Sequence, residues 1–167
     1  MNVAVILTTW ARDALLNSLI ASKLVPRGLR GPLLRGVGLE VAPSARVSAG
    51  CFFGSRRISI GSGSFINYAC FFDGGADITI GQDVALGYQV MLVNSSHRIG
   101  RAHRRAGEAF SDRIIIEDGV WIGARAVVLP GVRIAQGVVI AAGAVVANDC
   151  KENGLYAGVP ARRVREL

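Results

Sequence analysis

An all-β solenoid, in which short parallel strands wind into three-walled coils, is the fold class that three observations predict. A bulky apolar residue recurs every six positions through most of the chain. Glycine is abundant at 21 of 167 residues while aromatics make up 7%, which favours many short elements and tight turns over long helices. The count of six breaks three times, each time at the same point of the repeat. With 51% hydrophobic and 19% charged residues, the composition is that of one globular domain and excludes a disordered tail or a collagen-like rod.

The first 40 residues are read as a helix and a linker. Ile6, Trp10, Ala14, Leu16, Leu19, Ile20 and Leu24 keep helix-like spacing until Pro26 and Gly28, so one amphipathic helix is expected over roughly 8–24. It would cap a core or a subunit contact, or else lie on a membrane surface through Trp10 and neighbouring arginines. Arg27, Arg30 and Arg35, interleaved with Gly and Pro, make the next ten residues a linker. The apolar opening Val3 to Trp10 stops at Arg12 and Asp13, short of the roughly 20 residues of a bilayer crossing, and a cytoplasmic location is expected.

From Val41 the six-residue period takes over: Val41, Val47, Phe53; Ile60, Ile66, Phe72; Ile80, Leu86, Leu92; Ile116, Ile122, Val128; Ile134, Ile140, Val146. A period of 3.6 cannot reproduce that spacing, so each hexad is one strand and one corner, and three hexads close a coil. Two residues earlier stand small or medium side chains such as Ser64, Cys70, Val90, Val120, Ala126, Val132, Val138 and Ala144, which alternation turns inward as well. The steps 53 to 60, 72 to 80 and 92 to 116 exceed six by one, two and eighteen residues. All three insertions fall at one corner, and the longest should project as an arm over about 97–113.

The charge of +7, carried mostly by arginine, points to anionic partners such as a phosphorylated co-substrate, nucleic acid or a membrane surface. Cys51, Cys70 and Cys150 form no CxxC pair; Cys51 and Cys70 occupy equivalent places in successive coils and read as small core fillers. Two histidines are too few for a three-histidine zinc enzyme, and no metal site is expected. Arg98, Arg101, Arg104 and Arg105 raise nucleic-acid binding, but interleaved aromatics are missing and no nucleic-acid partner is expected.

The ordered strings Val120-Trp121-Ile122-Gly123-Ala124, Leu129-Pro130-Gly131-Val132, Ile140-Ala141-Ala142-Gly143-Ala144-Val145-Val146 and Ala157-Gly158-Val159-Pro160-Ala161 resemble the hexapeptide-repeat acyltransferases, most of all the galactoside and maltose O-acetyltransferases. The resemblance covers residues 41–167, which would form the acyltransferase domain with a C-terminal tail. It implies a left-handed parallel β-helix of about five coils, acetyl-CoA as co-substrate, a sugar or glycosylated acceptor and a homotrimer with its active site between subunits. An amine acceptor, or a non-catalytic scaffold on the same repeat, are the alternatives.

Asn94-Ser95-Ser96-His97 matches the family's catalytic loop, with Arg104, Gly107 and Glu108 echoing the residues that follow. The resemblance makes His97 the general base, since an imidazole suits proton removal from a hydroxyl near neutral pH. Taken alone, a histidine in a polar loop is an ordinary surface residue, and His103 is read so. Asn67 and Asp73 align with acceptor-contacting positions, Asn67 reading equally well as a corner residue bonded to its own turn. The second acidic residue of the family pair is Gly74 here. Trp121, Ala124, Ala142 and Ala147 align with the pantetheine contacts, and Arg162 and Arg165 with those to the nucleotide phosphates; Asn148 stands where a lysine is usual.

Overall fold

The structure, a computed structural model, describes residues 10–167. The apolar run from Val3 through Thr9, including Ile6 and the first residues of the expected helix, lies outside the described residues.

All fifteen hexad positions are buried, as alternation requires of residues that point into a coil. Three parallel sheets form the walls. The first stacks Val41, Ile60, Ile80, Ile116 and Ile134. The second stacks Val47, Ile66, Leu86, Ile122, Ile140 and Tyr156. The third stacks Phe53, Phe72, Leu92, Val128 and Val146. Because like residues superpose from coil to coil, Phe53 lies on Phe72 with ring centroids 5.1 Å apart and planes within 5°. The result is the β-helix that the repeat predicts.

The corners differ in how they turn the chain. Between the second and third walls, the third residue after the strand takes a left-handed conformation in every coil: Gly50, Ala69, Gln89, Arg125 and Gly143 have φ between +57° and +76°. Between the third and first walls lie the three insertions. At that corner Gly54 and Gly74 touch: a Cβ on Gly74 would come within 2.5 Å of the Gly54 carbonyl oxygen. With this packing, a side chain at Gly74 would clash with the previous coil.

Cys51 and Cys70 are 1% exposed, and each thiol donates to the corner carbonyl of the next coil, Asn67 and Gly87 respectively, at 3.2 Å. The neighbouring Cys51 thiol and burial both hold the Cys70 thiol well above its ordinary pKa. Burial, helped by Asp149, pushes Cys150 up to about 12. These are core fillers, as expected.

The N-terminal segment departs from expectation in one respect. Trp10 opens helical turns that run into a π-helical stretch, Ala14–Ile20, but the expected linker is itself a helix, Arg27–Gly36. Pro26, with its fixed φ, sets the entry, and burial of Arg30, Gly31 and Leu34 against the first coil outweighs the poor propensity of three glycines and Pro32. The segment also covers what a solenoid must not leave open, the unpaired edge of its first coil. Arg35 Nη1 donates to the Val41 carbonyl (3.3 Å) and Arg30 Nη1 to that of Val47 (3.1 Å), while Asn17 both donates to the Phe53 carbonyl (3.2 Å) and accepts the Phe53 N–H (2.8 Å). Each wall thus receives one side chain. At the other end, the expected tail is a strand: Ala161–Glu166 pairs antiparallel with Gly154–Gly158 on the second wall.

Candidate active site

The eighteen-residue insertion leaves the corner between the third and first walls as a two-stranded antiparallel hairpin, Ser95–Ile99 against Ala106–Ser111, and not as an irregular loop. Asn94 fixes its root. Fully buried, Asn94 accepts the Gly75 N–H through Oδ1 (3.1 Å) and donates through Nδ2 to the Ala76 carbonyl (2.6 Å), tying the arm to the insertion of the previous coil. Ser111 Oγ, across the hairpin, donates to Ser95 Oγ at 3.2 Å.

His97 pairs with Ala109, and directly beyond it the register slips before Ile99 meets Ala106. Such a bulge re-aims a side chain. The imidazole is exposed, and its Nδ1 lies 3.0 Å from the Gly107 carbonyl oxygen. A carbonyl can only accept, so in the neutral ring the proton sits on Nδ1 and the Nε2 lone pair is free to accept a proton. The opposite face of the hairpin is braced by Arg98, whose guanidinium carbon lies 4.3 Å from the centre of the Phe110 ring.

The other residues named from the sequence are not gathered around His97. Asn67 Oδ1 accepts the N–H of Tyr68 (3.0 Å) and Asp73 Oδ1 that of Gly74 (2.7 Å), so both side chains close their own turns. Trp121 is 57% exposed on the outer face of the second wall, between Ala85 and Val139. Ala124 and Ala142 occupy successive coils at the corner of the second and third walls. A Cβ on Gly123 would lie 2.5 Å from the Ala142 nitrogen, so close coil packing already demands small residues there. Ala147 is exposed at the arm's own corner, two coils further on. Arg162 and Arg165 are exposed on the last strand of the second wall. In a triangular cross-section that wall lies opposite the corner from which the arm departs. Two roles escaped the sequence reading, those of Asn94 as root clamp and of the Gly107 carbonyl as imidazole partner. Both depend on pairings between coils or across the hairpin that spacing alone does not signal.

Among the described residues no helix is long and apolar enough to cross a membrane. Residues 113–148 match the family of bacterial transferase hexapeptide proteins (six repeats). The chain is 32% identical to the galactoside O-acetyltransferase of Lactococcus lactis over 69% of its own length and 56% of the relative's. It is 33% identical to the galactoside O-acetyltransferase of Escherichia coli over 83% of its length and 68% of that protein's. It therefore spans little more than half the length of the first curated relatives it matches. Among solved structures, a hexapeptide-repeat-containing acetyltransferase of Vibrio cholerae complexed with acetyl coenzyme A superposes with a TM-score of 0.80 at 33% identity, covering 99% of this chain and 90% of that one. Repeat, coils, arm and these likenesses agree, and the chain belongs to the hexapeptide-repeat acetyltransferase family.

Proposed function

We propose that the protein is an acyl-CoA-dependent acyltransferase that moves the acetyl group of acetyl-CoA onto a hydroxyl of a sugar or glycosylated acceptor, with His97 as general base. The observation that carries this reading is the Nδ1 contact to the Gly107 carbonyl, which in the neutral ring assigns the proton to Nδ1 and frees Nε2 on an exposed arm. Nε2 takes the hydroxyl proton as the oxygen attacks the thioester carbonyl. The tetrahedral adduct then expels the coenzyme A thiolate, and the imidazolium returns the proton to sulfur. No acyl-enzyme is needed. The galactoside O-acetyltransferase names of the relatives and the acetyl coenzyme A complex of the Vibrio structure support the donor and the acceptor class.

Trp121, Ala124, Ala142 and Ala147 would border the pantetheine, and Arg162 and Arg165 the phosphates, where guanidinium forks suit them. Asn67 and Asp73 would contact the acceptor. The layout supports a homotrimer as part of this reading: since the arm departs opposite the wall that carries Trp121, His97 would meet such a donor surface on a neighbouring copy. Buried free thiols agree with a cytoplasmic location. Exposed Leu24 and Leu29, beside Lys23 and Arg27, support peripheral membrane contact through the N-terminal segment.

The test is thiol release from acetyl-CoA with a panel of sugars and glycosylated small molecules. His97→Ala should lower turnover by about 10² to 10⁴ while leaving coenzyme A binding intact. Wild-type turnover in that variant removes His97 from the mechanism.

A further inference from the structure

The tip of the arm carries a hollow of about 420 Å³ lined by Gly100, Arg101, His103, Arg104, Gly107 and Glu108, a volume typical of small-molecule sites. Gly107 belongs both to this hollow and, through its carbonyl, to His97. The tip is closed by its own backbone: the Arg104 N–H donates to the Arg101 carbonyl and the Gly100 N–H to that of Arg105, both at 2.9 Å. Arg105 also braces the turn, through Nη1 to the Gly100 carbonyl at 3.2 Å. Arg101 and Arg104 have no such task. Among the described residues neither forms an ion pair, and neither guanidinium has a hydrogen-bond partner, although Glu108 lines the same hollow. Two unpaired guanidiniums against one carboxylate leave the hollow cationic, with Gly107 as its link to the candidate base.

From this juxtaposition we infer that the acceptor is anionic: a hydroxyl compound bearing a phosphate or carboxylate, whose charged group is held by Arg101 and Arg104 while its hydroxyl faces His97. The inference rests on the acyltransferase reading and narrows its substrate class. A base must lie within hydrogen-bond reach of the hydroxyl it activates, so an acceptor anchored in the hollow would extend past Gly107, which holds the Nδ1 side of the ring, to present its hydroxyl to Nε2. Planar forks grip phosphate and carboxylate bidentately. Glu108, an acceptor of hydrogen bonds only, suits a second hydroxyl of the same molecule and disfavours an anion on its own side of the hollow. The donor phosphates have a separate candidate in Arg162 and Arg165, on the second wall.

Calorimetric titration of the full chain, with coenzyme A present, tests this without requiring turnover. The probes are glucose, glucose 1-phosphate, glucuronate and inorganic phosphate. At least one anionic probe should bind about tenfold or more tightly than glucose, with the gap narrowing in salt. The double variant Arg101→Ala/Arg104→Ala should abolish the gap while keeping the melting temperature and, in the thiol-release assay, the KM for acetyl-CoA. Preference for glucose 1-phosphate over glucuronate identifies phosphate as the recognised anion, and the reverse identifies carboxylate. The inference is overturned if no anionic probe binds better than glucose, if the gap survives in the double variant, or if that variant raises the KM for acetyl-CoA instead. A gap that depends on these arginines in a protein that transfers no acetyl group would overturn the acyltransferase reading and leave the anion site standing.

Discussion

Replacing Arg30 with methionine isolates the contribution of the N-terminal cap to stability. Arg30 is 2% exposed and, among the described residues, has no carboxylate partner. Instead Nε donates to the Ile20 carbonyl (2.9 Å), Nη1 to Val47 (3.1 Å) and Nη2 to Ser22 (2.8 Å) and Val25 (2.7 Å). One side chain therefore ties the end of the π-helical stretch and the following turn to the first strand of the second wall. Methionine keeps the apolar stem but removes all four bonds, although the Ser22 carbonyl still accepts the Val25 N–H at 3.2 Å. The carbonyls of Ile20 and Val47 are sealed from water, and an orphaned buried acceptor costs about 1 to 3 kcal/mol. The guanidinium's own desolvation penalty disappears with it, which offsets part of the loss. The net expectation is about 2 to 4 kcal/mol, or a fall in melting temperature of about 5 to 15 °C for a chain of this size. Circular dichroism melts of wild type, Arg30→Met and Arg30→Lys provide the measurement. Lysine, with its charge on one nitrogen, should rescue only part of the loss. A methionine variant within about 0.5 kcal/mol of wild type would refute the view that these four bonds hold the cap.

Other outcomes follow from the arm and the core. Asn94→Ala should lower turnover more than it lowers the melting temperature, because it frees the arm's root from Gly75 and Ala76 while the coils keep their ladders; steady-state kinetics beside thermal melts checks this, and an equal effect on both would contradict it. Cys70 and Cys150 should resist a colorimetric disulfide reagent at pH 8, since both are buried and held neutral there, and all three thiols should react once the protein is denatured. Fast labelling of either in native protein would show that the coils open locally.

The period of six was enough to identify the coils, because each inward position must be apolar in every coil to stack on its counterparts in the one core that the three walls share. That local rule placed Val47, Ile66, Leu86 and Ile122 on one wall before any contact was known. The insertions likewise revealed their corner, since extra residues can leave a stack only at an edge. The linker was misjudged for the complementary reason: Gly28, Gly31 and Pro32 argue against a helix locally, and only burial of Leu34 and Arg30 against the first coil reverses the preference.

The candidate site divides in the same way. His97 could be singled out because its string resembles a family motif and sits at the insertion corner. Its proton location could not, since that depends on a bulge that carries the Gly107 carbonyl to Nδ1 across ten residues of chain. Nor could the freedom of Arg101 and Arg104 be separated from the bracing roles of Arg98 and Arg105, which look identical in sequence. Composition and spacing determine which side chains turn inward, because strand alternation is a property of the chain itself. Which polar atoms find partners is decided only when distant segments meet, because a hydrogen bond demands a donor and an acceptor within about 3 Å.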